Sequence, residues 1–199
     1  MTVQSNNTVT DDENVTIVII TYNRYPFLLR LLKFYDKFNK TNKNNLIIGT
    51  IGRLSEQKGI DITLKAFKSV LKDFPDLKLE IIGDGPLKNA YKNISKELGI
   101  QNSVSFLGYL QPLDLIKYME KWKIFVLPSR WEGFGMVLVE AGAMQLPSIT
   151  TNVEAIPEII KDGINGYLVN PNDFKSISNY LLLFFKSNNK CIQMGKNAR

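Results

Sequence analysis

From Leu46 onward the chain alternates short apolar runs with amphipathic stretches, and no other feature restricts its fold as strongly. The segments "LIIGTIG", "LKLEIIG", "VSFLG", "IFVLPS", "PSITT" and "GYLV" read as strands. Helices are expected over about Gly59 to Lys72, Leu87 to Leu98, Leu113 to Lys121, Phe134 to Met144, Ile156 to Lys161 and Asp173 to Lys186. The strands are apolar almost throughout rather than at every second residue, which is the pattern of strands covered on both faces. Strand and helix in strict alternation also supply the crossovers that parallel neighbours require. The expected fold is therefore α/β, a doubly wound parallel sheet of the Rossmann-like kind over residues 46–199.

What precedes it reads differently. Residues 1–14 form a polar stretch expected to be a disordered tail. Residues 15–38 hold "VTIVII" and then Phe27, Leu28, Leu31, Leu32 and Phe34 at helical spacing, one β-α fragment. The Asn- and Lys-rich run "NKTNKNN" at 39–45 reads as a linker.

Composition removes several classes of chemistry. The 199 residues include no histidine, so no imidazole base and no serine or cysteine triad can operate within the chain. Cys191 is the sole cysteine, which rules out an internal disulfide framework and a zinc cluster. A formal charge of +6 calls for an anionic partner, yet the lysines are spread along the chain rather than clustered. A phosphate on a small ligand answers that charge better than a nucleic acid does. The opening "MTVQSNNTVTDDEN" has neither the basic start nor the apolar core of a signal peptide, and no apolar run approaches the roughly 20 residues of a membrane span. A cytoplasmic location is expected.

In sheets of this kind the ligand crevice lies beyond the carboxyl ends of the strands, so the turns after each strand carry the search. The richest is "SRWEGFGMVLVEAGAM". Gly133 and Gly135 flank Phe134 at a helix start, where the backbone can approach an anion closely and offer its N–H groups. The helix that follows is apolar on nearly every side except at Glu140, and a carboxylate there needs partners. Ribose hydroxyls would serve, as would a buried lysine or arginine. Glu132 can point into the crevice toward sugar hydroxyls or act as a helix cap through the dipole. At "GTIGRLSEQKGID", Gly52 allows a tight exit, and Arg53 and Lys58 place two cations at a helix start that repels them unless an anion binds between. Two solvated charges, with Lys58 closing a loop, are the alternative. In "IIGDGP" the turn around Asp84 suits either a binding loop or a plain bend, and at "FLGYL" the Tyr109 and Leu110 backbone is left near the crevice.

Taken in order, "GRLSEQKG", "IIGDGP", "LPSRWEGFGMVLVEAGAMQLPSITT", "IPEIIKDGINGYLV" and "GKNAR" resemble the C-terminal domain of family 4 glycosyltransferases, the second half of the GT-B fold. The resemblance covers residues 46–199, and its most specific element is the pair Glu132 and Glu140. It implies a UDP- or GDP-sugar donor, with retention of configuration and the departing phosphate accepting the acceptor's proton. Under it Arg53 and Lys58 would hold the pyrophosphate and stabilise the leaving group. Glu132 with Gly133, Phe134 and Gly135 would place the donor sugar, Glu140 would bind ribose, and Tyr109 and Leu110 would border the base. No metal and no other cofactor is implied. Enzymes of this kind act in polysaccharide, lipopolysaccharide or glycolipid synthesis, which is compatible with peripheral contact at the inner face of a membrane.

Three departures stand out. Glu154 and Ala155 replace a usual glycine pair, where a Glu154 facing the crevice would narrow or repel the donor phosphate region, and Met144 and Gln145 replace a usual Cys-Gly. Only about 45 residues precede the domain, too few for the acceptor-binding half, and these resemble, over 15–38, the opening of family 2 glycosyltransferases instead. An acceptor domain or partner subunit would therefore have to complete the enzyme. The second reading is a non-catalytic nucleotide-sugar-binding or interaction module that needs a partner.

Overall fold

The structure, a computed structural model, describes residues 45–199 together with Lys33. The tail at 1–14, the β-α fragment at 15–38 apart from Lys33, and the linker up to residue 44 lie outside the described residues. Six strands are formed: β1 (Ile47–Ile51), β2 (Lys78–Ile82), β3 (Val104–Gly108), β4 (Ile124–Leu127), β5 (Ser148–Thr151) and β6 (Gly166–Val169). They make a single sheet in the order β3-β2-β1-β4-β5-β6, parallel at every junction. The helices are α1 (Ile60–Val70), α2 (Lys88–Glu97), α3 (Pro112–Met119), α4 (Met136–Ala143), α5 (Ile156–Ile159), α6 (Phe174–Lys186) and α7 (Asn188–Asn197). This is the doubly wound α/β fold that the alternation predicts.

β4 shows why its residues had to be apolar without interruption. Ile124 and Val126 face a core shared with Phe67 of α1 and Ile177, Leu181 and Phe184 of α6. Phe125 and Leu127 face a second core with Leu115 and Met119 of α3 and Leu138 of α4. Each face removes its side chains from water, which stabilises the sheet by roughly 25 cal/mol per Å² of apolar surface. The strand order runs outward in both directions from the β1–β4 junction, so the crevice at the carboxyl ends opens there.

Two junctions depend on absent side chains. Trp122, fully buried, lies over Gly49 so closely that a Cβ at Gly49 would stand 2.0 Å from its ring atoms. The same indole donates Nε1–H to Glu80 Oε2 at 2.6 Å, which satisfies its polar edge. At the other end of the domain α7 packs against the end of α4: a Cβ at Gly195 would meet Gln145 O at 2.3 Å, and one at Gly142 would meet Ala198 O at 2.5 Å.

The sequence reading placed its last helix at Asp173 to Lys186 and did not mark α7. Its three asparagines and a glycine are weak helix formers, and it is the docking of Cys191, Met194 and Gly195 that holds the segment helical. α4 also starts two residues later than expected, because Gly135 with φ 79° occupies its cap position, a left-handed conformation that glycine adopts without steric cost. Among the described residues no helix is long and apolar enough to cross a membrane.

Gly49→Ala should overpack the Trp122 contact and lower unfolding free energy by about 1–3 kcal/mol, read as an earlier denaturant midpoint with an unchanged slope. A midpoint equal to that of the wild type would show that the ring has room to shift.

Candidate functional site

The crevice is walled by the loops that follow β1 and β4. Leaving β1, the chain turns through Gly52 and a 3-10 turn (Glu56–Lys58) into α1. Leaving β4, it runs from Pro128 to Gly135 into α4. These loops are more than 60 residues apart in sequence, and they are joined by several bonds. Arg130 N–H donates to Gln57 O at 2.7 Å, and Gln57 Nε2 donates to Trp131 O at 3.0 Å. The Arg130 guanidinium grips both carboxylate oxygens of Asp61, at 3.1 and 2.8 Å, and reaches Glu56 O at 2.6 Å. The Asp61 carboxylate beside it raises the Arg130 pKa above its ordinary value, so this cation is permanent.

Inside that framework Lys58 Nζ is paired with Glu132 Oε2, and Ser129 Oγ donates to the same oxygen at 3.1 Å. The side chains of the pair are only 14% and 10% exposed, so it is shielded enough to resist screening. The Lys58 stem lies against Gly52, where a Cβ would stand 3.2 Å from Lys58 Cγ. The Glu132 backbone N–H, in turn, donates to Glu154 Oε2 at 2.7 Å. Lys58 does close a loop, as the structural alternative required, but it closes onto a carboxylate in the crevice rather than into solvent.

The other expected residues separate into groups. Arg53 is exposed in the loop after β1 and forms no ion pair among the described residues. Gly133 is exposed with open space beside it, Gly135 is buried, and Phe134 between them is half-buried. Glu140 is 1% exposed within α4 and makes contacts of its own within the chain, so burial by itself does not assign it to ribose. Tyr109 stands 71% exposed and Leu110 half-buried just after β3, beside the turn at Gly83, whose N–H donates to Gly108 O at 2.8 Å.

The "IIGDGP" turn braces the first loop. Cβ atoms at Gly83 and Gly85 would stand 1.9 Å from Gly52 O and 2.5 Å from Leu54 O. Leu54 N–H donates to Asp84 O at 2.9 Å, and Tyr91 of α2 donates its hydroxyl to Ser55 O at 2.9 Å. The Asp84 carboxylate is exposed and bonded to Lys88 and to Gly85 N–H, which hold its pKa below the usual carboxylate value. These glycines are thus accounted for by close backbone packing.

Sequence reasoning gave no role to Ser129, Arg130 or Asp61, and it set Glu154 against the donor phosphate region without linking it to Glu132. Ser129 and Arg130 stood inside the quoted motif, and a serine three residues before a carboxylate was the signal available. A cavity of about 260 Å3 lies beside β6, the edge strand, lined in part by Asn152, Asp162, Asn170 and Asp173. Its carboxylates are engaged, Asp162 by Leu168 N–H and Asp173 by Ser176 at the start of α6, and it offers no cation to a phosphate.

Residues 33–199 match the family model for glycosyl transferases group 1. The chain belongs to that family. It is 30% identical over 168 residues to the capsular polysaccharide biosynthesis glycosyltransferase CapM of Staphylococcus aureus, covering 84% of this chain and 44% of that protein. It is 28% identical to the C-terminal domain of a glycosyl transferase group 1 family protein from Francisella tularensis, with a TM-score of 0.71 over 76% of this chain and 81% of that one. Staphylococcus aureus TarM, crystallised with UDP among its ligands, shares the fold at 24% identity and a TM-score of 0.75, covering 80% of this chain and 32% of that one. The group 1 chain described here thus spans less than half the length of the curated relatives it matches, and its sheet corresponds to the C-terminal part of the GT-B fold.

Removing one partner from a shielded ion pair leaves the other unanswered. Lys58→Met alone is expected to destabilise the protein by about 2–4 kcal/mol, and Lys58→Met with Glu132→Gln by at least about 1 kcal/mol less, as read from a double-mutant cycle of denaturation midpoints. Additive losses would mean that the two side chains do not interact in solution.

Proposed function

We propose that this group 1 glycosyltransferase chain is the donor-binding half of its enzyme, taking a UDP- or GDP-sugar for retaining transfer in polysaccharide, lipopolysaccharide or glycolipid synthesis. The observation that carries the reading is the shielded Lys58–Glu132 pair at the β1–β4 junction, a cation and a carboxylate fixed side by side where such sheets bind nucleotides. A diphosphate arriving there adds negative charge beside Lys58 and Arg53, the latter without an ion pair among the described residues. A hydroxyl-rich sugar gives Glu132 donors in exchange for part of its bond to Lys58. UDP in related structures, such as that of TarM, is consistent with this ligand class.

In the proposed reaction Arg53 and Lys58 stabilise the charge that develops on the departing diphosphate. The Gly133 to Gly135 backbone and Glu132 hold the sugar, Glu140 takes the ribose, and Tyr109 and Leu110 border the base. The departing phosphate accepts the acceptor's proton, which agrees with a chain that carries no histidine. Charge neutralisation falls to the two cations, with no metal ion. The acceptor is held across the crevice by a further domain or a partner subunit, and contact with the inner face of a membrane belongs to that assembly.

Calorimetric titration with UDP and GDP should show binding of one of them. Arg53→Ala should weaken it about tenfold, equal to about 1.4 kcal/mol, and Glu140→Ala should abolish it. Absence of binding by either nucleotide at millimolar concentration would overturn the reading.

Because rapid transfer needs donor and acceptor held in near-attack geometry, the isolated 199-residue chain should bind donor but transfer little. Robust transfer to an added acceptor, followed by release of nucleoside diphosphate, would contradict that division of labour.

A further inference from the structure

Glu154 sits where side chains are rarely found. Its φ of 45° lies in the left-handed region, which residues other than glycine adopt when their surroundings impose it. From that conformation its Oε2 accepts from the Glu132 N–H, at 2.7 Å, across loops 22 residues apart. Glu132 is thereby held at both ends, by Glu154 at its backbone and by Lys58 and Ser129 at its carboxylate.

The charges around this point do not cancel. Lys58 answers Glu132, whereas Glu154 is exposed and forms no ion pair among the described residues. One uncompensated negative charge therefore stands beside the loop proposed to receive the sugar, while Arg53 stands uncompensated in the loop after β1. A neutral sugar, or one carrying an ammonium group, is compatible with that arrangement. A sugar carrying its own carboxylate would bring a third anion to Glu132 and Glu154, where Lys58 already answers Glu132 and, with Arg53, faces the diphosphate.

We propose that Glu154 is a specificity-determining residue of the donor site: its carboxylate fixes the Glu132 loop and selects against donors whose sugar is a uronate. The inference rests on the donor-binding reading, which it extends from the diphosphate to the sugar.

The test uses the full chain with Glu154→Gln and Glu154→Gly. Glutamine keeps an acceptor for the Glu132 N–H but removes the charge, and glycine removes both while relaxing the backbone. Without ligand, hydrogen exchange at the Glu132 amide should be protected in the wild type and in Glu154→Gln, and about tenfold faster in Glu154→Gly. Calorimetric affinities are then compared for UDP-glucose and UDP-glucuronate, or for GDP-mannose and GDP-mannuronate if the guanosine nucleotide binds. The wild type should prefer the neutral sugar by about tenfold or more, and Glu154→Gln should bring that ratio close to one. The bare nucleoside diphosphate reports in each variant whether the diphosphate site is intact. An unchanged ratio in Glu154→Gln, or an unprotected Glu132 amide in the wild type, overturns the role of Glu154 while diphosphate binding persists. Failure of both bare nucleotides to bind overturns the donor reading and this selection with it.

Discussion

The site depends on the lateral bonding of two loops that the sheet brings together but cannot fix by itself. A parallel sheet guarantees that the carboxyl ends of β1 and β4 are neighbours; it says nothing about where residues 53–58 and 129–135 point. Arg130 settles that by gripping Asp61 through two oxygens and the Glu56 carbonyl through a third contact. A bidentate guanidinium–carboxylate pair fixes orientation as well as distance, which a lysine in the same place could not do. With that bond made, Lys58 and Glu132 meet in a half-dry space where their attraction survives salt. The Lys58–Glu132 pair is thus supported by a second pair one layer out.

The same framework explains why the second strand-to-helix turn carries glycines without needing a ligand. The first loop must be held from below as well as from the side. Gly83 and Gly85 let the β2 exit approach the Gly52 and Leu54 carbonyls more closely than any side chain would permit, and Tyr91 ties Ser55 from α2. Burial raises the Tyr91 pKa to about 12, so its hydroxyl remains a donor over the ordinary pH range. Glycines in this turn therefore serve the loop that carries Arg53 and Lys58, one step removed from any phosphate.

Much of the fold was legible because most strands are largely apolar and alternate strictly with helices of which most are apolar on one face, a pattern that a two-sided cover satisfies. α7 was not legible, since its residues have low helical preference and are ordered by contacts with Gln145 and α4 that sequence spacing does not encode. At the site, Glu132, Lys58 and Gly52 could be picked out one by one, and the structure brings the three together. Their mutual pairing was hidden: it joins positions 74 residues apart, and the reading from charge at a helix start had set Lys58 against a phosphate rather than a carboxylate. Arg130 and Asp61 were invisible for a similar reason, since neither residue is unusual until the loops are superposed in space. Glu140 remains legible as a buried carboxylate and no more, because its burial is compatible with a protein partner as well as a ribose.

Glu154 illustrates how a local misfit carries information. A glycine at that backbone position would need nothing to hold it in the left-handed region, whereas a glutamate there is retained against its own preference. The compensation is a single hydrogen bond to a neighbouring loop, and that bond lands on the backbone of Glu132, itself the residue that receives Lys58 and Ser129. Conformational strain at Glu154, the orientation of Glu132 and the charge balance around Lys58 are consequently one coupled arrangement. A change at Glu154 has to be answered at the other two, so a glycine at that position would alter the whole coupled arrangement and not one side chain alone.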